Sequence, residues 1–260
     1  MLKELYTAAA GMVPQQTRLE VIANNIANAS TPGFKKESVF ERNLIDSTAN
    51  FFNVPGEIEQ NDPPIGSYTD FSSGAMQKTD NPLDLAVDNV NEFFVLQDEN
   101  ENQYLSKAGH FKLNPDGTIQ AMDGKILMGV EGPITLKKEF NRNPVELDDT
   151  KEINLKINKN GEVFVNGSAM GAIQIVNVEN PESLDRVSNN CFVATKDTIA
   201  RQTKQDDVSV QQGWIENSNV SVVKEMVAMI ELQRTFEAGS KVIQANNETL
   251  DKDTQLGRYY

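Results

Sequence analysis

Residues 2–27 read LKELYTAAAGMVPQQTRLEVIANNIA, and this stretch sets the expected fold. Large apolar residues alternate in it with small or polar ones at intervals of three and four, a heptad spacing that predicts an amphipathic helix. Lys3, Arg18 and Asn25 fall on the opposite, polar side. A kink or break is expected near Pro14, because proline lacks the backbone N–H that an internal helical turn uses. The helix should end near Asn28, since STPG follows at 30–33.

The same spacing returns near the C-terminus, from Val222 to Leu250. A short polar side chain at Ser218 or Asn219 is expected to cap the first turn of this second helix. Roughly 36 helical residues would extend about 54 Å, at about 1.5 Å per residue. Neither terminal helix can bury an apolar stripe alone, so we expect the two helices to pair as a coiled coil.

Between the helices the pattern changes to short apolar runs separated by turn signals. Residues 83–200 contain strand candidates such as FFVL at 93–96, and pairs such as Asn160-Gly161 and Asn166-Gly167 that are typical of hairpin turns. Residues 43–78 show no sustained period and predict an extended or irregular connector. The expected fold class is therefore α+β, with paired N- and C-terminal coiled-coil helices and an inserted, mainly antiparallel all-β domain.

This organisation predicts four segments. They are an N-terminal helix and loop at 1–45, an extended connector at 46–80, a β-rich outer domain at 81–205 and a returning C-terminal helix at 206–260.

The charge balance excludes several classes of partner. The chain has 24 Lys+Arg and 38 Asp+Glu, which gives a net charge of −14. Duplex nucleic acid requires a clustered basic face, and an anionic membrane surface is disfavoured for the same electrostatic reason. No run approaches the roughly 18–20 apolar residues of a membrane-spanning helix.

The residue types that carry chemistry are scarce. Cys191 and His110 are the only cysteine and histidine, so an intramolecular disulfide, a Cys-rich metal cluster and a histidine pair are excluded. Cys191 is interpreted as a small buried hydrophobe and His110 as an ordinary strand residue. The acidic stretch that begins at Asp98 lacks the glycine and the final glutamate of a calcium loop. We therefore expect no catalytic residue, no cofactor site, no metal site and no enzymatic activity.

The C-terminal helix has more apolar surface than one seam requires. Val223, Val227, Ile230 and Leu232 lie outside the heptad positions. A second apolar face predicts packing against helices from other copies of the chain.

Several blocks resemble the bacterial flagellar basal-body rod and hook proteins. At the N-terminus they are LYTAAAGM at 5–12, LEVIANNIAN at 19–28 and STPGFK at 30–35. At the C-terminus they are ENSNVSVVKEMV at 216–227 and IELQRTFE at 230–237. Between these lie NPLDLAV at 81–87, FFV at 93–95, GKILMG at 124–129 and GPI at 132–134. The chain departs from the family at DNVNE, 88–92, where glycines usually precede the two aromatic residues.

The resemblance implies a structural subunit that self-assembles into the axial tube of the rod and transmits torque to the hook. The paired terminal helices would line the inner wall, with the β domain facing outward. The implied partners are further copies, other rod and hook proteins, and the flagellar type III export apparatus, with no nucleic acid and no membrane span. The implied location is the periplasm-spanning rod of the basal body, reached without a cleaved signal peptide.

The expected assembly interface combines apolar residues of both helices with one aromatic residue of the loop between helix and connector. These residues are Leu5, Met12, Leu19, Ile22, Ile26, Phe34, Val222, Met226, Met229, Phe236 and Ile243.

Other interpretations stay open at this point. The β domain would alternatively bind or hydrolyse peptidoglycan, with the helices as an oligomerisation stem. The hook or the tail tube of a related machine would share the helices and differ in the outer domain. Within the rod, SYTDFSSGAM at 67–76 resembles the proximal type, whereas the block at 6–12 and the chain length suit the distal type equally.

Overall fold

The computed structural model describes residues 2–41, 65–136, 154–196, 198–203 and 208–256. They belong to two compact units. The helical unit takes its residues from Met1–Ala27, Glu37–Thr69 and Val220–Tyr260, and the β unit from Asn28–Lys36 and Asp70–Asn219. The predicted segment boundaries at 45 and 205 lie outside the described residues, and the division into four segments stays a prediction.

Two helices and a hairpin form the described part of the helical unit. Helix α1 spans Leu2–Ala27 and helix α2 spans Val222–Leu256. Strands β1 (Glu37–Glu41) and β2 (Ile65–Thr69) pair antiparallel. Helix α1 ends at the predicted stop, and it runs through Pro14 without breaking. Neither described helix is long and apolar enough to cross a membrane.

The predicted coiled-coil pairing of the terminal helices is wrong. The described residues are mostly β-sheet, with one helix near each end of the chain. Part of the predicted seam of α2 is open, because Val222, Met226 and Phe236 are 38%, 50% and 43% exposed. A coiled coil needs apolar knobs at successive seam positions, whereas this seam contains Gln233 and Ser240. Heptad spacing over a few turns identifies the apolar side of a helix but does not identify what packs on it.

The all-β domain predicted between the helices is present. Its strands are β3 (Met76–Lys78), β4 (Leu85–Val87), β5 (Glu92–Gln97), β6 (Gln103–Ser106), β7 (Phe111–Leu113), β8 (Ile119–Ala121), β9 (Ile126–Gly129), β10 (Gly132–Pro133), β11 (Leu155–Ile157), β12 (Glu162–Val165), β13 (Ser168–Ala172), β14 (Ile175–Val178), β15 (Leu184–Ser188), β16 (Cys191–Ala194), β17 (Ala200–Gln202), β18 (Val210–Gln212) and β19 (Trp214–Glu216). A short 3-10 turn at Pro181–Ser183 precedes β15.

The strands of the β unit pair antiparallel throughout. The largest sheet has the order β15-β16-β6-β5-β9-β8-β7, with β10 on β9, β14 on β5 and β17 on β14. A second sheet has the order β11-β12-β13, and β18-β4 and β19-β3 form two-stranded pairs. Short turns make this arrangement possible. In the turn between β7 and β8, for example, the N–H of Gly117 donates to the carbonyl of Asn114 at 2.8 Å.

Strand β5 separates two hydrophobic clusters of the β unit. Phe94 and Leu96 pack into the larger cluster, and the ring of Phe94 lies edge-on to Phe111 with centroids 5.4 Å apart. Phe93 and Val95 pack into the smaller cluster. Successive side chains of a strand point to opposite faces, so a continuous apolar run fits a strand that is buried on both faces.

A buried ion pair joins distant parts of the β-unit chain. The Nζ of Lys35 lies 2.7 Å from Oε1 of Glu216, and the two side chains are 1% and 5% exposed. Lys35 also donates to the carbonyl of Ser72 at 2.8 Å, and Glu216 accepts from the N–H of Gly74 at 2.8 Å. Three segments distant in sequence therefore share one charged centre, whose polar groups are satisfied within the protein.

A second lysine is buried close to this pair. The side chain of Lys107 is almost fully buried, and its Nζ donates to the carbonyl of Asn89 at 2.6 Å. The ammonium lies 5.0 Å from the ring centre of Phe93. Burial lowers the pKa of Lys107 to about 7, an effect that Lys35 strengthens and that Glu216 and Glu92 oppose.

Removing the charge of Glu216 tests the buried ion pair. Glu216→Gln leaves Lys35 buried opposite a neutral amide, and breaking a buried pair by removing one partner costs about 3–5 kcal/mol. We expect a lower urea midpoint for the full chain, followed by the fluorescence of Trp214, the single tryptophan, which lies in β19.

The matched control is Asp80→Asn. It breaks the Lys78–Asp80 pair, whose side chains are 59% and 76% exposed, and exposed pairs contribute about 0.2–1 kcal/mol. An unchanged midpoint in Glu216→Gln would show that the buried pair does not stabilise the β unit.

The buried lysine predicts a pH dependence of stability. An unfolded chain keeps the proton of Lys107 up to its ordinary pKa of 10.5, whereas the folded chain releases it near pH 7. The unfolded state therefore binds more protons across this window, and the free energy of unfolding rises with pH, by up to about 1.4 kcal/mol per pH unit.

The measurement is urea unfolding at several pH values between about 7 and 9. The control is Lys107→Met, which keeps a long side chain and has no charge, and which should lose this part of the slope. A methionine variant with the full slope of the unaltered chain would assign the pH dependence to other groups.

Candidate assembly surface

An apolar stripe lies exposed on the first turns of α2. Val222, Met226 and Ile230 follow one another at intervals of four, which places them on one side of a helix. Val223 and Val227 flank them at the same interval, and the exposure of the five side chains ranges from 38% to 72%. We name these five residues the α2 stripe.

The other side of α2 is more covered. Glu225 is buried, and Met229, Leu232 and Ile243 are half-buried. The helix therefore has two apolar sides, and the α2 stripe is the one left open. Burying a valine, methionine or isoleucine side chain stabilises by about 1.5–3 kcal/mol. A contiguous exposed patch of such residues is typical of an interaction site.

Asn25 connects the elements of the helical unit. It lies near the end of α1, is buried, and exchanges two hydrogen bonds with the backbone of Glu37 at 2.8 and 3.0 Å. Its Nδ2 also donates to Oε2 of Glu225 at 3.3 Å. One amide thus joins α1, β1 and the first turn of α2. The residue spacing predicted Asn25 on the polar side of α1 and did not indicate this role, because a helical pattern does not distinguish a solvated amide from a buried one.

The eleven predicted interface residues differ in exposure. Val222, Met226 and Phe236 are exposed on α2, whereas Met229 and Ile243 are half-buried. Leu19, Ile22 and Ile26 are half-buried. The side chains of Leu5 and Met12, which lie in α1, are outside the described residues.

Phe34 is placed differently from the other ten. It belongs to the β unit, is fully buried, and lies 4.8 Å from the guanidinium of Arg186, which also donates to the carbonyl of Lys35. Its ring is part of the interior of the β unit. The conformation described here therefore does not offer Phe34 to a neighbouring subunit.

The sequence predicted Ser218 or Asn219 as the cap of α2, and Asn219 does not take this role. Helix α2 begins at Val222, and the side chain of Asn219 binds other segments of the β unit instead. Its Oδ1 accepts from the N–H of Lys36 at 2.7 Å, and its Nδ2 donates to the carbonyl of Asp70 at 2.8 Å. The N–H of Asp70 in turn donates to the carbonyl of Lys36 at 2.8 Å. We name Lys36, Asp70 and Asn219 the clasp. Lys36 ends the first segment of the β unit, and Asp70 and Asn219 begin and end the second.

The groups with reactive chemistry lie around a cleft of the β unit. The cleft has a volume of about 640 Å³, and Cys191, Asp123 and His110 are among its lining residues. Cys191 is buried, as predicted, and burial raises the pKa of its thiol, which lies 3.5 Å from Oδ2 of Asp123. A raised pKa keeps the thiol protonated at neutral pH, which is the opposite of an activated nucleophile. Within the described ranges, no three His, Cys, Asp or Glu side chains are grouped to hold a metal ion.

Three protein families match consecutive parts of the chain. Residues 5–35 match the family described as "Flagella basal body rod protein". Residues 89–165 match "Flagellar hook protein FlgE/F/G D1 domain", and residues 211–256 match "Flagellar basal body rod FlgEFG protein C-terminal". The first match contains most of α1, the last contains all of α2, and the middle match lies in the β unit.

Individual relatives extend the similarity to nearly the whole chain. The flagellar basal-body rod protein FlgG of Borreliella burgdorferi is 30% identical over 274 residues, which covers 99% of this chain and 100% of the relative. FlgG of Caulobacter vibrioides is 30% identical over 270 residues, covering 98% of this chain and 99% of the relative. The flagellar hook-basal body complex protein FlhO of Bacillus subtilis is 31% identical over 277 residues, covering 97% of each chain.

These relatives carry the names of rod and hook–basal-body proteins and not of enzymes, and they give no support to a peptidoglycan-binding or -hydrolysing β domain. Similarity over the full length, with matches at both terminal helices and in the β unit, establishes the family suggested by the sequence blocks. The chain therefore belongs to the flagellar basal-body rod protein family and is a structural subunit of the rod.

Proposed function

We propose that this rod subunit assembles by burying the α2 stripe against the helices of neighbouring copies. The observation that carries the proposal is the exposure of five apolar side chains on a helix whose other side is already partly covered. The other predicted residues of α1 and α2 belong to the same proposed interface. Val223, Val227 and Ile230 are added to it.

The energetics favour an assembly of this kind. Full burial of such a side chain contributes about 1.5–3 kcal/mol, and assembly adds only the part that is still exposed, which is 38% to 72% for the stripe residues. Part of this is offset by the translational and rotational freedom lost on association. Five adjacent residues offset more of this cost than a single exposed valine would, and the other predicted residues of α1 and α2 add to them.

The type of contact favours a tube. The five residues of the α2 stripe are all apolar, and we infer that the surface that covers them is a different one on the next copy. Contacts between two different surfaces generate rings or open helical assemblies. An open helical assembly of such subunits forms an axial tube and transmits torque along its axis to the hook.

The basal body is the location of the family, and other rod and hook proteins are its partners. We further infer that the chain passes unfolded through the flagellar type III export apparatus, without a cleaved signal peptide, and that it binds no nucleic acid and catalyses no reaction. The net charge of −14 supports export as separate subunits, because mutual repulsion keeps unassembled subunits apart. The same charge disfavours binding to nucleic acid. A single cysteine cannot form a wrong intramolecular disulfide in an oxidising compartment.

A pair of matched substitutions tests the α2 stripe. Val223→Asp places a carboxylate in the stripe, and Val242→Asp makes the same change at a residue that is 55% exposed and lies outside it. Burying an unpaired carboxylate costs several kcal/mol, and about 1.4 kcal/mol corresponds to tenfold in affinity. We expect Val223→Asp to raise the concentration needed for polymer formation by more than about tenfold, whereas Val242→Asp leaves it nearly unchanged.

Polymer formation of the full chain is measured by sedimentation and electron microscopy, and rod assembly in cells by motility. Circular dichroism of both variants controls for loss of the helix, and an aspartate near the start of α2 is compatible with the helix dipole. Equal assembly of the two variants would place the interface elsewhere.

A further inference from the structure

Two Asn-Gly pairs occupy turns of the β unit, and they differ in exposure and in hydrogen bonding. Asn160-Gly161 lies between β11 and β12, and Asn166-Gly167 lies between β12 and β13. An asparagine followed by glycine is chemically labile, because glycine has no side chain to hinder its backbone nitrogen from attacking the preceding carboxamide. Local structure decides whether that attack takes place.

Asn166-Gly167 is open to the reaction. Both residues are exposed, and a Cβ built on Gly167 would meet no atom within 4 Å. The backbone N–H of Asn154 donates to Oδ1 of Asn166 at 3.3 Å. A donor on the carbonyl oxygen draws electron density away from Cγ, which makes this carbon a better electrophile.

Asn160-Gly161 is protected. The side-chain oxygen of Asn160 is buried, and Gly161 is buried as well. The N–H of Gly161, which supplies the attacking nitrogen, donates to the carbonyl of Asn158 at 2.9 Å. The attack would require this hydrogen bond to break and the buried carboxamide to turn.

We propose that Asn166 is a site of spontaneous deamidation in the folded protein. The backbone nitrogen of Gly167 forms a bond to Cγ of Asn166, the bond between Cγ and the amide nitrogen breaks, and ammonia leaves with the proton of the Gly167 N–H. Water then adds across one of the two C–N bonds of the resulting succinimide. The products are aspartate, or isoaspartate with one extra carbon in the main chain, together with one new negative charge.

The turn gives this modification a structural consequence. Asn166 and Gly167 have φ values of 51° and 89°, the left-handed pair that a two-residue hairpin turn uses. They close the pairing of Val165 with Ser168, and Val165 is buried in the larger cluster. An extra main-chain carbon alters the register that such a turn fixes. Isoaspartate at 166 therefore loosens the hairpin of β12 and β13.

The experiment follows the folded full chain during incubation at neutral to mildly alkaline pH. Both asparagines fall in one tryptic peptide, 160–186, so fragment ions in mass spectrometry assign the mass change to one of them. We expect Asn166 to convert at least several-fold faster than Asn160 when the chain is folded, and the two rates to become similar in urea. Equal rates in the folded chain would overturn the proposal.

Asn166→Gln serves as the control variant, because glutamine would have to form a larger ring and reacts far more slowly. In this variant, the amount of isoaspartate labelled by a methyltransferase is expected to fall to a small fraction of that in the unaltered chain. Labelling that stayed at the level of the unaltered chain would place the modification at another residue and would contradict the proposal.

Discussion

The clasp formed by Lys36, Asp70 and Asn219 is the constraint on which the rest of the structure depends. The chain passes between its two compact units at four places, and these residues stand at three of them on the β-unit side. Asn219 binds the other two, and Lys36 and Asp70 bind each other. Lys35 is one residue from Lys36, and Glu216 is three residues from Asn219, so the ion pair of Lys35 with Glu216 lies close to the clasp along the chain. A β domain inserted between two terminal helices must bring its first and last residues together, and hydrogen bonds with one buried charge pair do this here.

Much of the β unit follows from short-range sequence signals. The run FFVL at 93–96 predicted a strand, and its alternate residues supply two separate clusters. The turn pairs predicted hairpins because positions with positive φ favour asparagine and glycine. The arrangement of the strands was beyond the sequence, because pairings such as β5 with β14 join residues that are distant in the chain.

The sequence predicted which apolar residues belong to the candidate site, but it did not predict how the structure places them. Heptad spacing identified Val222 and Met226 as apolar surface, but it also suggested a coiled-coil pairing that the two described helices do not form. Phe34 looked like an anchor for a neighbouring subunit, and its ring packs under Arg186 instead. The buried roles of Asn25 and Lys35 had no sequence signal, because polar side chains are normally solvated and only their partners justify burial. Those partners are contributed by remote segments.

The uninterrupted course of α1 through Pro14 has a mechanical meaning. Proline offers no N–H, so the carbonyl of Ala10 lacks the hydrogen bond that continues the helical ladder. The helix continues there with one backbone hydrogen bond fewer than elsewhere, and helices bend most readily at such positions. A subunit packed among copies of itself experiences different strains at different places in a growing assembly. A compliant point at Pro14 would let α1 adjust to those strains.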